Sequence, residues 1–351
     1  MFVSIIAQNR AVPAVFKDSI LLFNSAKNSI LVIMADSPDS STSCPLLLRQ
    51  FLNGMPAKPL IAIVGPTGSG KTAFSIRLSH ELESLGLHPE VVNADSRQFY
   101  RNLDVGTAKI TPEEMEGVPH HLLSVLDPNE ECSIAWFQRE AGKVIADIHA
   151  RGHIPLLVGG SMLYVSALID AYEPVAAPDA ELRERLSREY DQDAGETLVR
   201  RLAEVDPESA AAIPRENKVY VIRALEIWET TGKPKAEALK KGEGPYDLLM
   251  FGMQVDPEEL KKRVTERAVA MLQGGWIEEV KLLREFGYGH DDPAMESHGY
   301  REILAALERG DVDREKLAKD IATKTRQYAK RSLTWWRRDS RIHWVTPPSI
   351  S

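Results

Sequence analysis

The feature that most restricts what this chain can become is the run Gly65-Pro66-Thr67-Gly68-Ser69-Gly70-Lys71-Thr72, which fits G-x-x-x-x-G-K-[ST]. The apolar stretch Leu60 to Val64 before it reads as a short buried strand. Phe74, Ile76, Leu78, Leu82 and Leu85 after it recur at roughly helical spacing, and Gly86 is a natural stop. Strand, glycine loop and helix in that order make a phosphate-binding loop. The glycines let successive backbone N–H groups turn inward, the helix N-terminus adds partial positive charge, Lys71 adds a full one, and the Thr72 hydroxyl is suited to hold Mg2+. The loop alone does not say which phosphate it takes.

With 351 residues and 43% hydrophobic content, the chain can bury a sizeable core in two domains. Cys44 and Cys132 form neither a C-x-x-C pair nor a zinc spacing, so a reduced, cytoplasmic setting is expected. A net charge of -8 argues against a uniformly nucleic-acid-coating surface but leaves a local basic patch open. Residues 1–56 hold short apolar runs such as Ser29 to Met34, interrupted by Ser and Pro at 36–41. They read as an N-terminal extension with no assigned fold or chemistry, or an over-long start before Met55. No run approaches the roughly 18 apolar residues of a membrane span, and no basic leader precedes a cleavage site, so no membrane partner is expected.

A second strand, Glu90 to Ala94, ends at Asp95-Ser96-Arg97-Gln98-Phe99-Tyr100. An acid at the carboxyl end of a strand in an open α/β sheet lies where ligands bind. Asp95 could orient Mg2+ or its water, accept a proton from a substrate, or simply serve as a helix N-cap. The pair His120-His121 lacks a third ligand at metal spacing, so loop hydrogen bonding is expected. Ser133 opens an amphipathic helix to about His149, and Ile154 to Val158 is a further core strand. It runs into Gly159-Gly160-Ser161, a second backbone cradle with the Ser161 hydroxyl at its mouth.

From 173 to 244 the composition shifts to charged helical stretches, 180–190, 194–204 and 217–229, with prolines at 174, 178, 207 and 214. Leu248 to Val255 then reads as a strand returning to the core, and Asp256 as the cap of the next helix. Arg263 and Arg267 lie one turn apart on that helix and can face one ligand. From Lys324 to Arg341 the chain carries Lys324, Arg326, Lys330, Arg331, Arg337, Arg338 and Arg341 against the single acid Asp339, with Tyr328, Trp335 and Trp336 between them. That is a local phosphate-backbone footprint, although either tryptophan could pack on the core and Arg326 could reach the bound phosphate instead.

Together these residues carry a resemblance. The loop at 65–72, Asn-Ala-Asp-Ser-Arg-Gln-Phe-Tyr-Arg at 93–101, Asp-Val-Gly-Thr-Ala-Lys at 104–109, Val-Pro-His-His-Leu at 118–122 and Leu-Val-Gly-Gly-Ser-Met-Leu-Tyr at 157–164 resemble the tRNA dimethylallyltransferases. The likeness continues through Arg223-Ala224-Leu225-Glu226, Arg263 to Arg267, Gly299-Tyr300-Arg301-Glu302 and Thr325 to Arg331 with Thr334-Trp335. It departs where the family has Gln-Arg and this chain has Val219-Tyr220.

The resemblance implies an α/β fold, a P-loop NTPase-like parallel sheet flanked by helices, discontinuous over 57–172 and 245–345, with an inserted helical domain at 173–244 facing tRNA. It implies transfer of a dimethylallyl group from dimethylallyl diphosphate to the adenine N6 beside the anticodon, with Mg2+, by a monomer. Asp95, Ser161 and Arg267 would be catalytic. Gly65, Pro66, Thr67, Gly68, Ser69, Gly70, Lys71, Thr72 and Arg263 would bind the diphosphate, with Thr72 on the metal. The anticodon loop would meet Asp95, Ser96, Arg97, Gln98 and Ser161, then Arg183 and Arg223, then Gly299, Tyr300 and Arg301. A small-molecule kinase, a nucleotide switch and an enzyme prenylating free adenine nucleotides share the loop and are the alternatives.

Overall fold

The computed structural model describes residues 19–24, 29–34, 44–172, 179–238, 242 and 244–346. Two compact units divide the chain, residues 1–57 and 58–351. In the first, strands β1 (Ser19–Asn24) and β2 (Ser29–Met34) pair antiparallel, and helix α1 (Cys44–Asn53) follows. The extension thus holds a hairpin and a helix where the sequence reading assigns none. Two six-residue apolar runs four residues apart are the hairpin signal in that stretch.

The second unit is built on a six-stranded, all-parallel sheet in the order β5-β4-β6-β3-β7-β8. Strand β3 (Pro59–Val64) leads through the glycine loop into α2 (Lys71–Ser84), and β4 (Pro89–Asn93) comes next. Strand β5 (His120–His121) is a short edge, helix α3 (Ile134–Ala150) is capped by Ser133, and β6 (Ile154–Gly159) passes into α4 (Met162–Ile169). Strands β3 and β6 are near-continuous apolar runs because helices cover both faces of a parallel sheet.

Helices α5 (Ala180–Asp193), α6 (Glu196–Val205), α7 (Pro207–Ala212), α8 (Lys218–Thr231) and α9 (Lys235–Ala238) come after α4. Leu186, Tyr190, Leu198, Leu202, Val221 and Leu225 bury themselves in a cluster separate from that of the sheet. Pro174 and Pro178 lie outside the described residues.

The chain returns to the sheet as β7 (Asp247–Met253). After it come α10 (Pro257–Gln273), capped by Asp256 at the Glu258 and Glu259 amides, and α11 (Trp276–Glu285). Helices α12 (Tyr300–Arg309) and α13 (Arg314–Trp336) lead to β8 (Ile342–Val345). Helix α13 packs on α10. Strand β8 adds a parallel edge beside β7, an element that the basic character of this segment hides. Among the described residues no helix is long and apolar enough to cross a membrane.

Candidate active site

Register brings three strand ends to one level. Val64 pairs with Gly159, and Asn93 with Val158. The turns after these strands therefore meet at the carboxyl edge of the sheet, carrying Gly65 to Lys71, Asp95 to Gln98, and Gly160 with Ser161. A Cβ on Gly159 would stand 2.2 Å from the carbonyl carbon of Ala94, so only a residue without a side chain lets these two backbones meet.

Two cavities open from this junction. The smaller, of 220 Å³, reaches from Thr67, Gly68 and Lys71 past Asp95 and Ser161 to a wall that includes Val264, Met271, Trp276, Ile321 and Tyr328. The larger, of 830 Å³, shares Thr67, Gly68, Lys71, Asp95, Thr107 and Arg267 with it and adds Thr72, Arg77 and Arg263. Phosphate-loop groups and an apolar-aromatic wall thus line the same smaller cavity.

Lys71 folds back on its own loop, Nζ donating to Gly65 O at 3.0 Å and Pro66 O at 2.8 Å. Burial pulls its pKa down to about 8; the Asp95 charge opposes this and Arg267 adds to it. Ser69 Oγ is buried and has no hydrogen-bond partner among the described residues. The Thr72 side chain is exposed to the larger cavity at the first turn of α2, the end toward which the helix dipole draws anions.

Asp95 is held as in an Asx turn. Its N–H donates to Asn93 Oδ1 at 2.9 Å, and its Oδ1 accepts from the Arg97 N–H at 3.0 Å. One carboxylate oxygen is thereby committed to the turn, and Asp95 borders both cavities. No helix follows Asp95, so the helix-cap alternative gives way to a turn that uses one carboxylate oxygen. Ser161 is buried at the same junction, its hydroxyl shared with Ser96.

Arg267 borders both cavities, and its Nη2 lies 3.5 Å from Thr107 O. Burial lowers its pKa, with Asp95 and Glu114 opposing. Arg263 borders the larger cavity, its Nε donating to Glu259 at 2.8 Å and its buried Nη1 without a partner among the described residues. An unsatisfied guanidinium N–H beside a phosphate loop fits an anion.

The remaining sequence candidates divide. Ser96 and Arg97 border the smaller cavity, and Gln98 the larger, its amide donating to Thr107 O at 3.2 Å. Arg183 and Arg223 lie away from both and pair with the buried Glu226 at 2.8 and 2.6 Å, which ties α5 to α8. Gly299 packs on the Trp276 ring, and Tyr300 borders the smaller cavity as a fully buried ring with its hydroxyl on Glu279 at 2.6 Å. Arg301 borders neither cavity.

Of the C-terminal cations, Lys324 pairs with Glu302, Arg341 with Asp170 and Asp339, and Arg326 donates to Thr323. Trp336 is core, whereas Trp335 stays partly exposed in a groove with Lys330, Arg331 and Arg338. His121 bonds Glu90 at 2.6 Å and His120 bonds Val118 O, and no group of His, Cys, Asp or Glu among the described residues could hold a metal ion. Val219 and Tyr220 are exposed on α8, with Lys235 Nζ 5.8 Å from the Tyr220 ring centre.

Sequence reasoning passes over Arg77, Thr107, Trp276 and Glu279. Thr107 acts through its main-chain oxygen, which side-chain identity does not advertise. Arg77 does carry a signal, a cation on the helix that the loop opens.

Residues 98–339 match the IPP transferase family, and residues 58–125 the isopentenyl transferase family. A tRNA dimethylallyltransferase of Thermomicrobium roseum is 44% identical over 294 residues, 83% of this chain and 88% of that protein. A full-length tRNA isopentenylpyrophosphate transferase of Bacillus halodurans superposes with a TM-score of 0.60 at 39% identity, covering 82% of this chain and 90% of its own. A eukaryotic dimethylallyltransferase acting on tRNA gives a TM-score of 0.68 at 28% identity, over 82% and 74% of the two chains. The junction of the three turns can stabilise a departing anion at Lys71 and Arg267 and take up a proton at Asp95, all three of which border both cavities.

Proposed function

The chain belongs to the IPP transferase family, and from that premise we propose that it transfers the dimethylallyl group of dimethylallyl diphosphate to the N6 amine of an adenine in tRNA. The adenine is the one at position 37, 3′ to the anticodon, and the products are N6-dimethylallyladenosine and diphosphate. The observation that carries this reading is the shared border of the two cavities, where Lys71, Asp95 and Arg267 stand together.

In the reaction the allylic C–O bond breaks and a C–N6 bond forms. Negative charge grows on the diphosphate, where Lys71, Arg263, Arg267 and the loop amides receive it. The exocyclic amine is a weak nucleophile whose proton must leave as the new bond forms, and the Asp95 oxygen that the turn leaves open accepts it. Val264, Met271 and Tyr328 give an apolar wall against which water is excluded from the carbocation-like carbon.

Thr72 is the residue that would hold Mg2+, which supplies charge neutralisation on the diphosphate. Among the described residues Thr72 offers a single exposed hydroxyl with no carboxylate cage, which would suit an ion that arrives with the diphosphate. The target base lies in the anticodon loop and must leave its stack to reach the cavity. We place the enzyme in the cytoplasm as a monomer.

The test is incorporation of label from dimethylallyl diphosphate into unmodified tRNA with Mg2+, beside AMP and an ATP-consumption control. Label in tRNA alone is expected. Label in AMP, or loss of ATP without prenyl transfer, would overturn the reading.

A further inference from the structure

Glu279 on α11 receives four hydrogen bonds. Its Oε2 accepts from the N–H groups of Asp104 at 2.8 Å and Val105 at 2.7 Å, and its Oε1 from the Gly106 N–H at 3.2 Å and the Tyr300 hydroxyl at 2.6 Å. A carboxylate that draws three successive amides of one loop fixes that loop, because each bond is charge-assisted and the carboxylate is itself anchored by the hydroxyl of the fully buried Tyr300. Trp276 holds the same loop from beneath: a Cβ on Gly106 would stand 2.0 Å from the indole nitrogen.

The residue next along the loop is Thr107. Its carbonyl oxygen faces Arg267 Nη2 at 3.5 Å and accepts from Gln98 Nε2 at 3.2 Å. Its own hydroxyl closes the loop by donating to Leu103 O at 2.6 Å. The path from Glu279 to the Arg267 guanidinium is therefore a short run of hydrogen bonds through one backbone segment.

We infer that Glu279 is a positioning residue for the transfer reaction: by clamping Asp104 to Gly106 it sets the Thr107 carbonyl that aims Arg267 at the diphosphate. The inference rests on the diphosphate role proposed for Arg267. Glu279 touches no reacting atom. It acts by geometry, and a displacement of about 1 Å at a site of this kind costs about 10²-fold in rate.

The experiment compares E279Q with Val280→Ala, a core truncation on the same helix, in the full chain. Affinity for inorganic pyrophosphate with Mg2+ is read by calorimetry, and kcat and the RNA KM by label transfer. E279Q replaces an acceptor oxygen with an NH2 that faces N–H donors. It is expected to weaken pyrophosphate binding about tenfold and to lower kcat about 10²-fold, with the RNA KM unchanged. Val280→Ala should lower the melting temperature and leave pyrophosphate affinity and kcat as they are. Tyr300→Phe, which removes one of the four donors, should weaken pyrophosphate binding about threefold, and it carries the test if E279Q does not fold. Wild-type pyrophosphate affinity in E279Q, or in Tyr300→Phe should it stand alone, overturns the inference, as does an equal loss in Val280→Ala. Because pyrophosphate binding needs no RNA, a wild-type protein that fails to prenylate tRNA would sink the proposed function while the clamp is still judged by its own readout.

Discussion

The Ser161 hydroxyl accepts from the Ser96 N–H at 2.9 Å and donates to Ser96 Oγ at 3.2 Å. The turn after β6 is thereby stitched to the turn after β4, which carries Asp95. Ser161→Ala should lower kcat about tenfold through a misplaced Asp95 while costing only about 1 kcal/mol in stability. Steady-state kinetics with urea denaturation check it; a full loss of folding with normal kcat in the surviving enzyme would contradict the positioning role.

Asp95 separates its two jobs by substitution. Asp95→Asn keeps an oxygen for the Arg97 amide but loses the base, and should drop kcat by about 10²–10⁴ with near-native melting. Asp95→Ala loses both and should melt lower as well. Equal melting temperatures for the two variants would show that the turn does not depend on the side-chain oxygen.

Lys71 titrates within reach of ordinary buffers. Its pKa in the ligand-free protein is about 8, so the ammonium that attracts an anion is present below that pH and lost above it. An anion binds the charged form, so wild-type affinity for pyrophosphate should fall above about pH 8, by up to about tenfold per pH unit. Lys71→Arg, always charged, should lack that limb. Taking the difference between the two proteins by calorimetry from pH 7 to 9.5 cancels the titration of pyrophosphate itself.

Glu90 predicts a second pH dependence, in stability. Burial would raise its carboxyl, but bonds from His153, His121 and Arg151 outweigh this and hold the pKa at about 2, against an ordinary 4.5. A depressed carboxyl contributes stability above its unfolded pKa and loses it as pH falls toward the folded one. Glu90→Gln should therefore be destabilised by about 3 kcal/mol at pH 7, and the gap to wild type should close between about pH 4.5 and 2. Urea melts at both ends of that range decide the matter.

Legibility in the sequence followed locality. The strand, loop and helix around Lys71, the Ser133 and Asp256 caps and the returning strand β7 are set within about ten residues each, and their periods and punctuation read directly. Asp95 and Ser161 were legible as strand-end residues, yet the bond between their turns was not, because register decides it. Glu279 lies 175 residues from the amide of Asp104 that it receives, and a lone glutamate on an amphipathic helix looks like any solvated acid. The fate of Trp335 and Trp336 turned on the facing of one helix, which the adjacent pair left ambiguous. Strand β8 is only four residues long and came after a run of arginines whose charge argued for surface.

The helices from α5 to α8 keep an apolar cluster of their own, closed by the pairing of Glu226 with Arg183 and Arg223. A segment with a private core can open without exposing the sheet, so its amides should exchange with solvent as one cooperative group, at a lower free energy than those of β3 and β6. A substitution at the exposed Val219 or Tyr220 of that lobe is thereby insulated from the phosphate loop and should leave the pyrophosphate affinity unchanged.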